Sequence, residues 1–187
     1  MRILKITGLL LLGQTAFAQA DVANPVDVSY SYAELRFVDV DDNGGDGFRF
    51  MGSWEADPNW LLVGGITALD FDNNVDTTLL EVGGGYVWHY DDQFDLIGTL
   101  RLVRSEVDTP GSDSDDTGFA VSAGVRGLLA PQFEVRGFVN HLNLDDSDTF
   151  LEIAGDYYFN QQFSAGLSLE FAGDNDLFTI GARYYFK

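Results

Sequence analysis

The sequence predicts an all-β protein: a single antiparallel up-and-down transmembrane β-barrel of ten strands, with eight strands as the alternative count. Three observations lead to this prediction. Beyond the first twenty residues, apolar and polar side chains alternate with a period of two. The connections between the alternating segments are short and long by turns along the chain. The apolar phase of each segment is almost free of charged residues, as lipid-facing strands require.

Residues 1–20 have the pattern of a cleaved signal peptide. A short positively charged stretch precedes an apolar run, and Ala16-Phe17-Ala18 supplies a small-residue cleavage motif. The apolar run is too short to cross a bilayer as a helix. We therefore predict a signal peptide over residues 1–20, cleaved after Ala18 or Ala20, and a barrel domain over residues 21–187. The sequence contains no cysteine, so disulfides do not stabilise the domain.

Ten alternating segments follow the signal peptide. Each is close to the length that crosses a membrane as a tilted strand, about 9–11 residues. In the ninth, Leu167 and Leu169 alternate with Ser168 and Glu170. A soluble sandwich or a lipocalin also alternates, with its apolar face turned inward. The predicted strands are residues 28–38, 47–56, 60–70, 78–90, 95–106, 118–129, 133–142, 150–159, 163–171 and 177–186.

The connections and the aromatic residues favour the membrane barrel over the soluble alternatives. Short turns at 57–59, 91–93, 130–132 and 160–162 separate longer connections at 39–46, 71–77, 107–117, 143–149 and 172–176. Periplasmic turns are short and outer loops long in outer-membrane barrels. Aromatic side chains gather at the strand ends that border the short turns, where amphipathic rings prefer the membrane interface. These are Trp54, Trp60, Trp88, Tyr90, Phe94, Phe133, Tyr157, Phe159, Phe163, Tyr184 and Phe186.

Charged residues within the predicted strands fall on the polar phase. A charge that faced lipid at mid-depth would cost about 2–4 kcal/mol, so these side chains are expected to point into the lumen. Both signs occur in similar numbers, and buried charges need partners, so we expect an interleaved network of ion pairs. The predicted lumen charge network is Glu34, Arg36, Arg49, Glu55, Glu81, Arg101, Arg126, Glu134, Arg136, Glu152, Asp156, Glu170 and Arg183.

Short stretches over the whole mature chain resemble the small OmpA/OmpX-like outer-membrane β-barrels of Gram-negative bacteria, including the short proteins called quorum-factor-like. The stretches are Val28–Tyr32 with Glu34, Gly52–Trp54, Pro58–Trp60, Val63–Gly65, Val82–Tyr86, Ala123–Arg126 and Gly181–Phe186. The resemblance implies an outer-membrane location, contact with outer-membrane lipid and lipopolysaccharide, and insertion by the barrel assembly machinery. Tyr184 and Phe186 resemble the aromatic assembly signal of this family, although Lys187 follows them. The family implies no settled activity.

The long connections are strongly acidic and contain no Lys or Arg. Such a rim repels anions and concentrates cations, which argues against nucleic acid as a partner. Acidic loops also keep a surface soluble. The sharper hypothesis is loose binding of divalent cations that bridge to lipopolysaccharide phosphates, since hard oxygen ligands suit Ca²⁺ and Mg²⁺. The candidate rim residues are Asp39, Asp41, Asp42, Asp46, Asp113, Asp115, Asp116, Asp145, Asp146 and Asp148.

One acidic stretch resembles half of a calcium loop. Asp39, Asp41 and Asn43-Gly44 have the spacing of its first half, but Phe50 occupies the position of the bidentate glutamate. Asn-Gly is also typical of a tight hairpin turn. We therefore expect a surface turn here rather than an individual calcium site.

Two functions remain open from the sequence, and no cofactor is predicted. The first is a structural or surface-interaction barrel whose lumen is filled by side chains, as barrels of about eight strands are. The alternative is a narrow cation-preferring pore lined by the same charges. An enzyme is not expected, because His141 is the one histidine near the outer rim and no nucleophile and orienting carboxylate accompany it in a recognisable motif.

Overall fold

The computed structural model describes residues 28–41, 44–71, 74–173 and 176–186. These residues form a closed antiparallel barrel of ten strands, in which each strand pairs with its neighbours in sequence and β1 pairs with β10. The predicted fold and strand count are confirmed. The predicted signal peptide lies outside the described residues. The strands are β1 (Tyr32–Val40), β2 (Gly45–Asp57), β3 (Trp60–Phe71), β4 (Val75–His89), β5 (Phe94–Thr109), β6 (Ser112–Ala130), β7 (Phe133–Asn143), β8 (Ser147–Tyr158), β9 (Phe163–Phe171) and β10 (Leu177–Tyr185).

The barrel is apolar outside and largely polar inside. In β1, Leu35 and Phe37 are 53% and 37% exposed, whereas Glu34 and Arg36 are 7% and 3% exposed. Because successive side chains of a strand point to opposite faces, the period-two pattern puts one set into the lumen and the other on the outer wall. An outward apolar band with a polar interior is the arrangement of membrane barrels. Within the described part of the chain, no helix is long and apolar enough to cross a membrane.

Exposed aromatic rings form a belt at the end of the barrel that carries the short turns. Trp60 packs edge-to-face on Tyr86 with ring centroids 5.1 Å apart, and the rings of Phe163 and Tyr184 pack at a tilt of 52° with centroids 4.9 Å apart. Paired rings of this kind add to the stability of neighbouring strands. Both chain termini of the barrel lie at this end, since β1 begins and β10 ends there.

The strands continue further at the opposite end than the sequence predicts. The connection predicted over residues 107–117 is mostly β-structure, because β5 ends at Thr109 and β6 begins at Ser112. The turn is Pro110-Gly111, where Gly111 has φ of 98° and Thr109 Oγ1 donates a hydrogen bond of 2.6 Å to the Ser112 carbonyl. Outside the membrane both faces of a strand contact water, so a strand there needs no apolar alternation. Backbone pairing between β5 and β6 therefore continues beyond the point at which the alternation ends.

The first predicted strand begins too early. Residues 28–31 are not part of β1, which starts at Tyr32. Tyr30 is only 4% exposed and packs with Leu61, Val87 and Ile97 inside the barrel. The segment before β1 therefore fills the short-turn end of the lumen instead of extending the wall.

Candidate functional site in the lumen

Charged side chains of both signs fill the middle of the lumen. They come from nine of the ten strands, because the inward phase of each of these strands carries at least one. The predicted residue Glu55 lies half-buried at the short-turn end of β2, where its backbone N–H donates to Ser31 Oγ at 3.1 Å. The other twelve predicted residues form ion pairs: the arginines 36, 49, 101, 126, 136 and 183 with Glu34, Glu81, Glu134, Glu152, Asp156 and Glu170.

Like charges lie directly opposite each other on neighbouring strands, and this dictates how the ion pairs form. Arg126 faces Arg136 across β6 and β7, and Glu134 faces Asp156 across β7 and β8. Like charges in directly opposed positions repel. The pairs therefore form on the diagonals: Arg126 Nη2 lies 2.9 Å from Glu134 Oε2, and Arg136 Nη2 lies 3.5 Å from Asp156 Oδ2.

Glu34 joins the two ends of the chain within this network. Its Oε1 accepts hydrogen bonds from Arg36 Nε at 2.6 Å and from Arg183 Nη2 at 3.0 Å. Arg183 Nη1 also lies 3.2 Å from Glu134 Oε1. All four side chains are at most 8% exposed. Because Glu34 belongs to β1 and Arg183 to β10, the network also supports the seam that closes the barrel.

Two further ion pairs extend the network. Arg49 pairs with Glu170 across the lumen, and Arg101 Nη1 lies 2.8 Å from Glu81 Oε2. These side chains are less buried than the central ones, with exposures of 23% for Arg49 and 16% for Arg101. They line the part of the lumen nearer the long-connection end.

Tyrosines complete the network, and one of them was missed from the sequence. The Tyr158 hydroxyl donates to Glu134 Oε2 at 2.5 Å. Two guanidinium groups lie near the Tyr32 ring, with 4.3 Å from Arg183 Cζ and 5.7 Å from Arg126 Cζ to the ring centre. Cations over aromatic faces gain most where water is excluded. The alternation within β8 could have identified Tyr158, because Tyr158 shares the inward phase with Asp156.

The segment before β1 caps the network at the short-turn end. The Tyr30 hydroxyl donates to Asp95 Oδ2 at 2.6 Å, and Arg126 Nη1 donates to the Ser29 carbonyl at 3.1 Å. The Arg126 guanidinium also lies 4.6 Å from the centre of the Tyr30 ring. Asp95 is a functional contact that sequence reasoning missed, although it shares the inward phase of β5 with Arg101.

The long-connection half of the lumen contains a cavity of about 400 Å³. Glu34, Arg36 and Arg136 of the network contribute to its lining, and Leu142 and Leu177 lie at its outer end. Apolar side chains, among them Met51, Leu69 and two phenylalanines, form much of the rest of the wall beside polar side chains of the middle strands. The lumen is therefore filled at one end and hollow at the other.

The predicted acidic rim is spread over strand ends and turns. Asp42 lies outside the described residues. Asp39 and Asp46 belong to β1 and β2, Asp148 belongs to β8, and Asp113, Asp115 and Asp116 belong to β6 rather than to a loop. Asp41, Asp145 and Asp146 lie in the connections and are exposed. In the described ranges, no three His, Cys, Asp or Glu side chains are arranged to hold a metal ion.

The two histidines lie at opposite ends of the barrel. His141 Nδ1 lies 2.9 Å from Thr149 Oγ1 near the rim. At the short-turn end, His89 Nδ1 lies 2.8 Å from Asp95 Oδ1, and His89 Nε2 lies 3.1 Å from the Pro58 carbonyl. Each contact links neighbouring strands or turns.

The predicted assembly residues Tyr184 and Phe186 lie on the outer wall at the end of β10. They are 39% and 46% exposed, and their ring centroids are 5.4 Å apart. The backbone N–H of Phe186 donates to the Ser31 carbonyl at 2.9 Å. Their role in assembly stays a prediction.

Comparison with known proteins identifies the relatives of this architecture. The family model described as outer membrane protein beta-barrel domain matches residues 6–186. No curated protein sequence matches the chain. Among solved structures, the NanC porin is 9% identical, with 82% of this chain and all of that chain covered and a TM-score of 0.55. The KdgM porin in complex with disordered oligogalacturonate is 9% identical, covers 83% and 99%, and has a TM-score of 0.51. At these identities the likeness concerns the fold alone.

Proposed function

Because the chain belongs to the outer membrane protein β-barrel domain family, and so lies in the bacterial outer membrane, we propose that it is a non-conducting barrel with a structural or surface-interaction role. Its lumen would serve as a rigid, charge-balanced core. Its outer strand ends and turns would be the surface that meets lipopolysaccharide and other molecules outside the cell.

The observation that supports this proposal most strongly is the filled short-turn half of the lumen. Arg126, Glu134 and Arg183 are 3%, 0% and 1% exposed. Tyr30 and Tyr158, which contact this group, are 4% and 0% exposed. A continuous file of water would have to pass these side chains, and their mutual hydrogen bonds would have to break to admit it. Breaking buried ion pairs is costly, since the charges left behind are unpaired.

The balance of charge supports the same reading. The six arginines of the network are matched by six carboxylates, so the ion-paired network has no net formal charge. A selective pore needs charges or dipoles that are free to replace the hydration of a passing ion. In this barrel the arginines are already engaged by the protein's own carboxylates.

Planar-bilayer recording tests the proposal against the alternative of a narrow cation-preferring pore. The refolded protein is expected to insert without steady single-channel current, while a porin added in parallel shows that the bilayer reports channels. A variant with Glu34, Glu134, Arg126 and Arg183 all replaced by Ala keeps the net charge and empties the central barrier, so we expect it to conduct. Steady cation-preferring current through the unmodified protein would contradict the proposal.

A further inference from the structure

Strand β8 forms one wall of the cavity in the long-connection half of the lumen. Alternate side chains of β8 point inward, and Asp148, Phe150 and Glu152 line the cavity in that order from its mouth at the long-connection end. Phe138 of β7 lies directly opposite Glu152 and lines the cavity as well. Glu152 therefore lies beside two aromatic side chains, one on its own strand and one on the neighbouring strand.

Glu152 has weaker contacts with the rest of the protein than the other glutamates that line the cavity. Its side chain is 23% exposed, and neither carboxylate oxygen is fully buried. Within the described residues its ion pair is with Arg136, whose Nη2 lies 3.8 Å from Oε1, and no donor hydrogen-bonds the carboxylate. By contrast, Glu34 and Glu170 each accept two hydrogen bonds from arginine side chains. Because short, charge-assisted hydrogen bonds are the strong ones, Glu152 can gain most from a donor that enters the cavity.

The charges around Glu152 favour a cation as that donor. Glu170 lies directly opposite Glu152 on β9, and like charges in opposed positions repel. Arg136 is only 7% exposed and is shared with two other carboxylates, while the more exposed arginines of the cavity are engaged by Glu170 and Glu81. Asp148 adds a negative charge at the mouth, and the acidic rim concentrates cations in the water outside.

The opposite wall of the cavity suits an apolar body. Strand β3 lies five strands from β8 in either direction round the barrel, so its inward side chains Val63 and Leu69 face β8 across the cavity. Met51 of β2 extends this apolar wall. Aromatic rings attract cations through their faces, and the two phenylalanines lie beside the carboxylate. The cavity thus combines an accessible carboxylate with aromatic and apolar surface.

We propose that this cavity binds an organic cation that carries one primary ammonium group on an apolar body the size of an aromatic ring with a short chain. The ammonium N–H groups donate to the Glu152 carboxylate, and the body packs against the phenylalanines and the apolar side chains of β2 and β3. The volume of about 400 Å³ falls within the range of about 300–1,000 Å³ typical of small-ligand pockets. This inference goes beyond the proposed function, since a cavity closed at the short-turn end binds a ligand without conducting it.

Saturation-transfer difference NMR on the barrel in nanodiscs of zwitterionic lipid tests the site. The probes share one ring and differ in charge: phenethylamine is a cation at neutral pH, phenethyl alcohol is neutral and hydrocinnamate is an anion. Empty nanodiscs of the same lipid give the background from partitioning. We expect phenethylamine to bind about tenfold more tightly than the alcohol, as a charge-assisted hydrogen bond predicts, and hydrocinnamate to bind most weakly.

Glu152→Gln removes the charge at nearly the same volume. We expect it to abolish the preference for phenethylamine over phenethyl alcohol, while the alcohol binds as it does to the unmodified protein. A merely structural role of Glu152 would weaken the binding of both probes. Glu106→Gln is the matched control, because it makes the same change of charge at an exposed position of β5 outside the cavity, and we expect it to keep the preference.

Two further variants test the site independently of the carboxylate. Phe150→Leu removes one ring beside Glu152 and is expected to reduce the preference for the cation about threefold, since a cation over an aromatic face contributes modestly. Ala120→Phe fills the cavity from a buried inward position of β6 and is expected to abolish the binding of both probes. A gel-mobility assay of unheated samples checks that every variant is folded.

Three results overturn the proposal. The first is phenethylamine binding to the unmodified protein that does not exceed the background of empty nanodiscs. The second is phenethylamine binding no more tightly than the alcohol. The third is a preference for phenethylamine that survives in Glu152→Gln or, if that variant does not fold, in both Phe150→Leu and Ala120→Phe. Bilayer recording of the same preparations keeps a failure of the non-conducting barrel distinguishable from a failure of the cation site.

Discussion

Glu134 shows how much of the interior depends on one carboxylate. It is fully buried, and it contacts the guanidinium groups of Arg126 and Arg183 and the hydroxyl of Tyr158. Removing it would leave two buried cations with fewer partners. Such cations cannot shed their charge, because a guanidinium stays protonated in proteins.

We predict that Glu134→Ala lowers the free energy of unfolding by about 3–5 kcal/mol, the usual cost of breaking a buried ion pair from one side. Urea unfolding in detergent micelles, followed by tryptophan fluorescence, measures the change. Glu106→Ala is the matched control, since Glu106 forms an exposed pair with Arg104 whose loss costs about 0–1 kcal/mol. Equal effects of the two substitutions would show that the network does not stabilise the barrel. Replacing both Arg126 and Glu134 by Met is expected to recover part of the loss.

At the residue scale, the sequence predicts which side chains share the inward phase but not which of them pair. Glu34 and Arg183 are far apart in the chain, and they meet because β1 closes on β10. The diagonal pairs depend on the stagger between strands, which alternation alone does not specify. Tyr30 shows a different limit. Its even position shares the inward phase of Glu34 and Arg36, but alternation does not show that the wall strand begins only at Tyr32 and that Tyr30 packs against Leu61 and Val87.

The individual strands show which strand boundaries the period-two alternation predicts correctly and which it does not. Strand ends at the short turns were predicted well because polar residues and proline interrupt an apolar phase there. At the outer end, β6 begins at Ser112, well before its apolar phase starts. Ser, Asp and Thr in residues 112–117 resemble a loop in sequence. Backbone pairing with β5 nevertheless holds them in a strand.

The glycines of β4 give a prediction at the same scale. A Cβ added at Gly83 would collide with the Leu100 carbonyl and approach Arg101 Cα to 2.6 Å, so the neighbouring backbone would have to move. We predict that Gly83→Ala lowers the free energy of unfolding by about 1–3 kcal/mol, as overpacking does. A Cβ at Gly52 of β2 has no atom nearer than 3.9 Å, so Gly52→Ala is expected to be neutral or stabilising by about 0.4–1 kcal/mol. Unfolding midpoints in urea compare the two, and equal losses would mean that close backbone approach is not the reason for glycine in β4.

The whole molecule combines a charge-balanced network in the lumen with a strongly acidic exterior. The sequence carries 30 Asp and Glu against 10 Lys and Arg, while the lumen network is balanced. Most of the excess therefore lies outside the lumen, and the hairpin of β5 and β6 alone carries Asp108, Asp113, Asp115 and Asp116 beyond the membrane. Simple repulsion among exposed carboxylates is screened within about 10 Å at 0.1 M salt, so monovalent salt should relieve it as well as any other ion.

Bridging requires one divalent cation to bind two anionic groups at once. This requirement distinguishes bridging from simple screening of the acidic rim. We predict that Ca²⁺ raises the thermal midpoint of the barrel in lipopolysaccharide-containing vesicles more than NaCl at equal ionic strength, because one ion then binds both an Asp carboxylate and a lipid phosphate. Excess EDTA should return the midpoint to its starting value. Replacing Asp113, Asp115 and Asp116 together by Asn should reduce the Ca²⁺ effect while leaving the NaCl effect nearly unchanged. An equal shift of the thermal midpoint with both salts would contradict divalent bridging, because screening alone would account for the shift. The acidic rim would then serve only to keep the surface soluble.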